Sequence, residues 1–468
     1  MKSRLLFFLS WVGLLVLPPL SPRLAAQAQN PTPPRYTVTD LGTLGGAYSY
    51  AYGINNAGVI AGAAATPTQS GGIAQTAFLW DDDLHMINLG TLGGSGCPDC
   101  SSEAGGPNAK GVSPILSETG EIDPNGEDFC AFGTHRQCLA AIWKKGTMTA
   151  LSNLKGGNNG QAYWTNNQGQ TVGLAENGTA DSTCSTGTPF QVLRFEAVVW
   201  EPNGKIRELR PLRGDTVGYA FGINENGQAV GVTGLCSNTQ APPIVPGTRA
   251  PHAVLWEKDG TPVYLGSLSG NVFTIPADIN DSGVVAGASL YTDGTIHPFL
   301  WTREKGIQDL GTFPGAFLTG IPCCHTLNNK GDAVGLTVDG TTFNMRAVLF
   351  HDNQLFDLNT LIPSNSGWYL QFGGSINDAG EIVGWGTING NTHAFLATPC
   401  YTDQTDSQCR DISVADDKSN DNGHGDHFRG ECRLRTQHFY RAYSTTSQPS
   451  PSAPALGAHY PTSTAQRR

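Results

Sequence analysis

Charge is scarce in this sequence. Only 14% of its 468 residues are charged, and 28 Lys or Arg face 39 Asp or Glu. A net charge of −11 with so few cations excludes nucleic acid and anionic membrane surfaces as partners, since Lys and Arg supply the counterion release that holds both. Long apolar runs are scarce too. The longest, Leu5–Leu17, has thirteen residues, where a spanning helix needs roughly 20. Nucleophile and phosphate signatures are missing: there is no G-x-S-x-G, H-E-x-x-H or P-loop.

What is present begins with an export signal. Lys2 and Arg4 precede the apolar run, and Ala26-Gln27-Ala28 supplies a small-residue cleavage pattern. Residues 1–28 read as a signal peptide cut before Gln29, and 29–35 as a linker. The mature chain is expected to be secreted or extracytoplasmic, with no membrane span.

Glycine is abundant, 59 residues, and much of it recurs in one phrase. INNAG (Ile54–Gly58), TNNQG (Thr165–Gly169), INENG (Ile223–Gly227), INDSG (Ile279–Gly283), LNNKG (Leu327–Gly331) and INDAG (Ile376–Gly380) share it, and LSETG (Leu116–Gly120) reads as a degenerate seventh copy. Asn at i with Gly at i+3 is a type I turn signature that closes a hairpin. The structural turns are therefore Asn55 and Gly58, Asn166 and Gly169, Asn224 and Gly227, Asn280 and Gly283, Asn328 and Gly331, Asn377 and Gly380. A second glycine follows four residues later at Gly62, Gly173, Gly231, Gly287, Gly335 and Gly384, with Pro124 as the exception. It marks a bulge or a close backbone approach, suited to sheets packed face to face.

A second phrase follows each hairpin: AFLW (Ala77–Trp80), AAIW (Ala140–Trp143), AVVW (Ala197–Trp200), AVLW (Ala253–Trp256), PFLW (Pro298–Trp301), AVLF (Ala347–Phe350) and AFLA (Ala394–Ala397). After all but the last come a polar turn and another strand, so each unit has four short strands. The seventh unit lacks its fourth strand, and an orphan copy, YTVTDLGTLGG (Tyr36–Gly46), opens the mature chain. Units recurring about every 54 residues, the last completed by the first segment, imply a closed ring. The expected fold is all-β: a seven-bladed β-propeller over 36–399, closed by its N-terminal strand. An open solenoid would leave both end segments unpaired. The polar segment 400–468, rich in Ser, Thr and Pro at its end, is expected to be disordered.

The phrases DLGTLGG, GINNAGVIAG and HAFL (His393–Leu396) resemble the bacterial extracellular HAF repeats over about Tyr36 to Pro399. His252 and His297 keep the His of that triplet in altered form, and the second unit departs furthest. The resemblance implies an exported repeat protein without assigned activity, so no catalytic residue is carried over.

In such a ring the a–b and c–d turns share one face and are short. The b–c and d–a loops share the other and vary in length, as in Ala63–Gln75, Ser95–Asn108, Asp123–Cys138, Glu176–Gln191 and Leu235–Pro251. Variable loops on a rigid scaffold are where binding usually lives. Eight cysteines, Cys97, Cys100, Cys130, Cys138, Cys184, Cys236, Cys323 and Cys324, map to that face. Export favours disulfides, expected among the first four and between Cys184 and Cys236, while Cys400 and Cys409 could close a small loop.

Sharper readings are weaker. Cys97, Cys100, Cys130, His135 and Cys138 lack the paired spacing of a zinc site. Asp278–Gly283 opens like a calcium loop, but the twelfth place is Ser289. His424, His427 and Cys432 read as incidental. No metal or cofactor is expected. Six aromatics at the entrances of the inner strands, Tyr48, Tyr163, Tyr219, Phe273, Phe317 and Trp368, could stack on sugars or grip a peptide, although packing between blades is the favoured explanation. The sequence thus points to an exported, non-catalytic binding or interaction module acting through its long-loop face on an extracellular glycan or protein. A propeller hydrolase or lyase acting on extracellular polysaccharide and a structural cell-envelope protein are the alternatives.

Overall fold

A computed structural model describes residues 33–400, apart from 68–72, 84, 185–190, 240–250, 271–272, 292 and 322–324. The signal peptide, Cys323, Cys324, His424, His427 and the segment beyond Cys400 therefore lie outside the described residues.

Strands a to d of each repeat pair antiparallel in chain order. Ser49–Ile54, Ile60–Pro67, Ile73–Asp81 and His85–Gly90 form one sheet, and Val217–Ile223, Ala229–Gly234, His252–Trp256 and Pro262–Tyr264 form another. The inner strands Ser49–Ile54 and Val217–Ile223 are buried along their length, while outer strands such as Gln354–Asp357 are half exposed or open to solvent. The last sheet is completed as expected. Arg35–Asp40 pairs with Asn391–Cys400, Val38 opposite Ala397 and Asp40 opposite Phe395. The architecture is a β-propeller.

Two expectations need correction. Five sheets stand as separate four-stranded blades, not seven, and the sixth sheet has eight strands. It joins the fifth and sixth repeats through one parallel pair, Ile296 with Leu318. The cause is local: the inner strand of the sixth repeat, Ala316–Gly320, stops short, and the chain rejoins its partner only at Leu327 and Ala333. The second correction concerns the degenerate turn. Leu116–Gly120 lies inside the long strand Val112–Ile122, and the second repeat makes its turn at Asn108–Gly111, where the Gly111 amide donates to the Asn108 carbonyl at 2.9 Å. Four residues after Gly111 stands Ile115, so the second repeat lacks the second glycine in the corrected register too.

The second glycine does mark a bulge, but within one sheet rather than between two. A Cβ on Gly231 would stand 2.0 Å from the Tyr219 carbonyl oxygen, where the register of strands a and b slips between Ala220 and Gly222. Tryptophans ending strand c fasten neighbouring repeats. The Trp200 indole donates to the Ser152 carbonyl and that of Trp256 to the Arg210 carbonyl, each at 2.7 Å.

Three disulfides join Cys97 to Cys100, Cys130 to Cys138 and Cys184 to Cys236; the last is the pair expected, and the first two fix the pairing that the sequence left open among its four cysteines. Cys400 is also disulfide-bonded, to a partner outside the described residues. With those thiols oxidised the zinc reading lapses, and no cluster of three or more His, Cys, Asp or Glu able to hold a metal occurs among the described residues.

Candidate binding funnel

The Asn-Gly turns meet in a ring. Each turn asparagine is buried, and its Nδ2 donates to the backbone carbonyl of the next one. Asn55 reaches Asn108, Asn108 reaches Asn166, Asn166 reaches Asn224, and Asn224 reaches Asn280. Asn280 then reaches Asn328, Asn328 reaches Asn377, and Asn377 returns to Asn55 at 3.1 Å. The Oδ1 of each side chain meanwhile caps its own turn, as Asn224 does for the amides of Asn226 and Gln228. Asparagine alone offers a donor outward and an acceptor inward on so short a stem.

A second ring lies above the first. The residue after each turn asparagine accepts the matching amide of the preceding repeat. Asn167 takes the Ala109 amide, Glu225 that of Asn167, Asp281 that of Glu225, Asn329 that of Asp281, Asp378 that of Asn329 and Asn56 that of Asp378, at 2.7 to 3.0 Å. Ala109 has no side chain to continue it. Structural duty thus explains why these positions are Asn, Asp or Glu. Only one oxygen of Asp281 and one of Glu225 is used in this way.

Within the rings opens a cavity of about 170 Å³. Glu225, Asp281 and Asp378 bring three carboxylates to its lining, and no Lys or Arg lines it. Burial opposes ionisation of Asp378, but hydrogen bonds from the Asn329 amide and from the Asn56 and Asn329 side chains win, holding its carboxyl below the usual range.

Trp164 and His325 are also in the lining. Their rings stack at 4.0 Å and 19°. Position two before the turn asparagine is Gly53 and Gly106 in the first two repeats, and there a Cβ would stand 3.4 and 2.6 Å from the Trp164 ring. The small residues make room for the indole. His325 sits at φ +61°, with Nδ1 3.7 Å from Asp278. Burial lowers its pKa to about 4 against the pull of the Asp378 and Asp281 carboxylates, so it is uncharged at neutral pH. Burial pushes Asp278 up to about 7, opposed by the amides of Leu327 and Ile279. The calcium reading of this segment thus gives way to a carboxyl turned to backbone amides.

The six aromatics proposed from sequence lie elsewhere. Tyr163, Tyr219 and Phe273 are at most 2% exposed, inside an apolar cluster that unites residues of six repeats, including Tyr50, Phe372 and Trp385. Tyr48 and Phe317 pack against that cluster, and Trp368 lies edge-on to Phe395 at 6.0 Å. The packing explanation holds for the three buried rings, so they are not free to touch a ligand.

Sequence reading passed over Trp164 and His325. The signal was available: in the aligned turns, tryptophan stands where two neighbours have glycine, and histidine precedes the turn only in the sixth repeat.

No family model matches this chain, and no curated protein matches it. Among solved structures it is similar to a virginiamycin B lyase from Staphylococcus aureus, at 10% identity over 78% of this chain and 99% of that one, with a TM-score of 0.44. It is similar to the β-propeller domain of the Trilobed protease from Pyrococcus furiosus, at 11% identity over 68% and 97%, with a TM-score of 0.33. It is also similar to a puromycin hydrolase, at 11% identity over 76% and 52%, with a TM-score of 0.48, and spans about half that protein's length. Likenesses this distant concern the fold alone.

Proposed function

We propose that this chain is an exported, non-catalytic binding propeller of the HAF-repeat kind, whose small-ligand site is the turn-lined funnel rather than the long-loop face. The observation that carries the reading is a cavity walled by three carboxylates, without a lining cation, beside stacked rings of Trp164 and uncharged His325. Concave sites with a few convergent polar groups and an aromatic wall are where small ligands bind. Their sign selects a small organic cation, an amine or guanidinium. A metal ion suits the site less, because no close cluster of ligating side chains is present among the described residues. Three disulfides support an oxidising destination, and no helix of the described residues is long and apolar enough to cross a membrane.

The hydrolase or lyase reading would require His325 and Asp278 to move a proton at a bound substrate. Asp278 is 1% exposed and gives one oxygen to the Ile279 amide and the other to the Leu327 amide, which favours binding over acid–base work.

Calorimetric titration of the mature chain with guanidinium, a diamine and a quaternary ammonium tests this. A combined Glu225→Gln and Asp281→Asn variant keeps the acceptor each of those ring positions needs, since Asn56, Asn167 and Asn329 already serve there. It leaves in place Asp378, whose second oxygen accepts the Asn56 and Asn329 side chains. It should retain its melting temperature and bind the best cation at least ~10-fold more weakly, as expected when rim charges are removed. Equal affinity in parent and variant would exclude the funnel as the cation site.

A further inference from the structure

On the opposite, long-loop side, four consecutive repeats each expose one aromatic ring. They are Tyr264 in the fourth, Tyr291 in the fifth, Phe343 in the sixth and Tyr369 in the seventh, and among the described residues only Ile122 joins them as an exposed large apolar side chain. Each stands at a b–c loop or at the strand end beside it or beside a d–a loop.

The rings are backed by polar groups. Tyr291 stacks on His297 at 4.7 Å and 7°, and His297 Nδ1 lies 2.9 Å from Asp309. Tyr264 stands edge-on to His252 at 5.6 Å and 89°, and His252 Nδ1 lies 2.7 Å from Asp215. Tyr369 feels the charges of Arg346 and Asp357, which pair at 2.8 Å, and Arg346 also lies over the Phe313 ring. Three of the four rings thus adjoin a carboxylate held by a histidine or an arginine.

Phe343 adds strain. Its φ of +58° is left-handed, a costly conformation for a bulky residue, and its side chain is 69% exposed. The loop holds it there. The Phe343 amide donates to the Asp339 carbonyl at 3.0 Å, and Asp339 Oδ1 accepts the amides of Thr341 and Thr342. The ring touches Phe317 edge-on at 5.8 Å. The fold gains little from a ring so exposed, and glycine would relieve the backbone.

A pyranose unit presents an apolar face of C–H groups and a rim of hydroxyls. A fixed aromatic ring beside a carboxylate and its polar partner matches both, through stacking and charge-assisted hydrogen bonds. A contiguous apolar patch, as a folded protein partner prefers, is not what these separated rings make. Their repetition through consecutive repeats suits a chain of repeating units, and a net charge of −11 disfavours a polyanionic one. We propose that the long-loop rim of the fourth to seventh repeats binds a neutral pyranose polysaccharide along Tyr264, Tyr291, Phe343 and Tyr369. This stands independently of the funnel.

The test is affinity gel electrophoresis of the mature chain in soluble β-glucan, xylan, mannan and pectin. At least one neutral polymer should retard the parent. Phe343→Gly should weaken that retardation ~5-fold or more while raising the melting temperature, and Tyr291→Ala paired with Tyr369→Ala should nearly abolish it with the melting temperature kept. Four results would overturn the proposal: no retardation by any neutral polymer, retardation by pectin alone, retardation unchanged in both variants, or loss of retardation only alongside a lowered melting temperature in both.

Discussion

Asn224→Asp unfolds at a much lower denaturant concentration than the parent, with a loss of about 4 kcal/mol. Asn224 is 3% exposed. Its Nδ2 donates to the Asn280 carbonyl and to Gln228 Oε1, each at 3.0 Å, while Oδ1 accepts the amides of Asn226 and Gln228. Aspartate keeps both acceptor bonds, loses both donor bonds, and turns a charge toward two oxygens. An unpaired buried acceptor costs ~1–3 kcal/mol, more when a charge is involved. Asn224→Ala should lose somewhat less, ~3 kcal/mol, because it introduces no charge. Urea titration followed by tryptophan fluorescence measures both. A change under 1 kcal/mol in either would mean that the turn ring does not hold the repeats together.

Stability should also fall as pH rises above the ordinary carboxylate range. Glu127 and Glu176 are both 0% exposed and lie where the loop of the second repeat meets the third. Glu176 accepts the amides of Asn158 and Asn159 at 3.1 and 3.0 Å, and Glu127 accepts those of Val192 and Leu193. Asn159 Nδ2 touches Glu176 Oε2 at 3.1 Å and Asp123 Oδ2 at 2.8 Å, so three buried carboxyls converge there. Burial first, and the neighbouring Glu127 charge second, push the Glu176 carboxyl far above its usual range. The folded Glu176 carboxyl keeps a proton that the unfolded chain releases. At pH below the unfolded value both states hold it, and the contribution is complete. Above that value the unfolded state gains by ionising, and stability declines by up to ~1.4 kcal/mol per pH unit until the folded Glu176 ionises too. Thermal unfolding at pH 4.5, 6, 7.5 and 9 should show the decline, and Glu176→Gln should flatten it whatever its absolute stability. Parallel pH profiles for parent and variant would show that Glu176 holds no such proton.

The repeat, the closing strand and the Cys184–Cys236 bridge were legible because each rests on chemistry stated in the sequence. Asn and Gly three apart dictate a turn wherever they fall, and the missing fourth strand of the last unit matches the surplus strand at the front. The second repeat was misplaced because Asn108 follows Pro107, where four of the other six turns have Ile, and the segment Leu116–Gly120 later in the chain imitated the turn. The merging of the fifth and sixth repeats depends on one pair, Ile296 with Leu318, and single long-range contacts leave no periodic trace. The funnel was missed for a different reason. Its asparagines and carboxylates looked like turn residues, which they are. Their convergence around one axis is a property of the closed ring, as is the meeting of Trp164 with His325 from the third and sixth repeats. Of the six aromatic candidates Tyr163, Tyr219 and Phe273 are buried, and sequence does not tell which end of the axis is filled.

The whole account depends on the N-terminal segment pairing with Asn391–Cys400, since only a closed ring carries the Asn377-to-Asn55 bond and both rims. Val38 and Ala397 are register partners in that ladder and belong to one apolar cluster. In a Val38→Cys and Ala397→Cys double variant, mild oxidation should link the two introduced thiols in nearly all folded molecules, as a cross-linked peptide after digestion. If both thiols instead remain free and react with an alkylating reagent in the folded protein, the ring is open and the funnel does not exist.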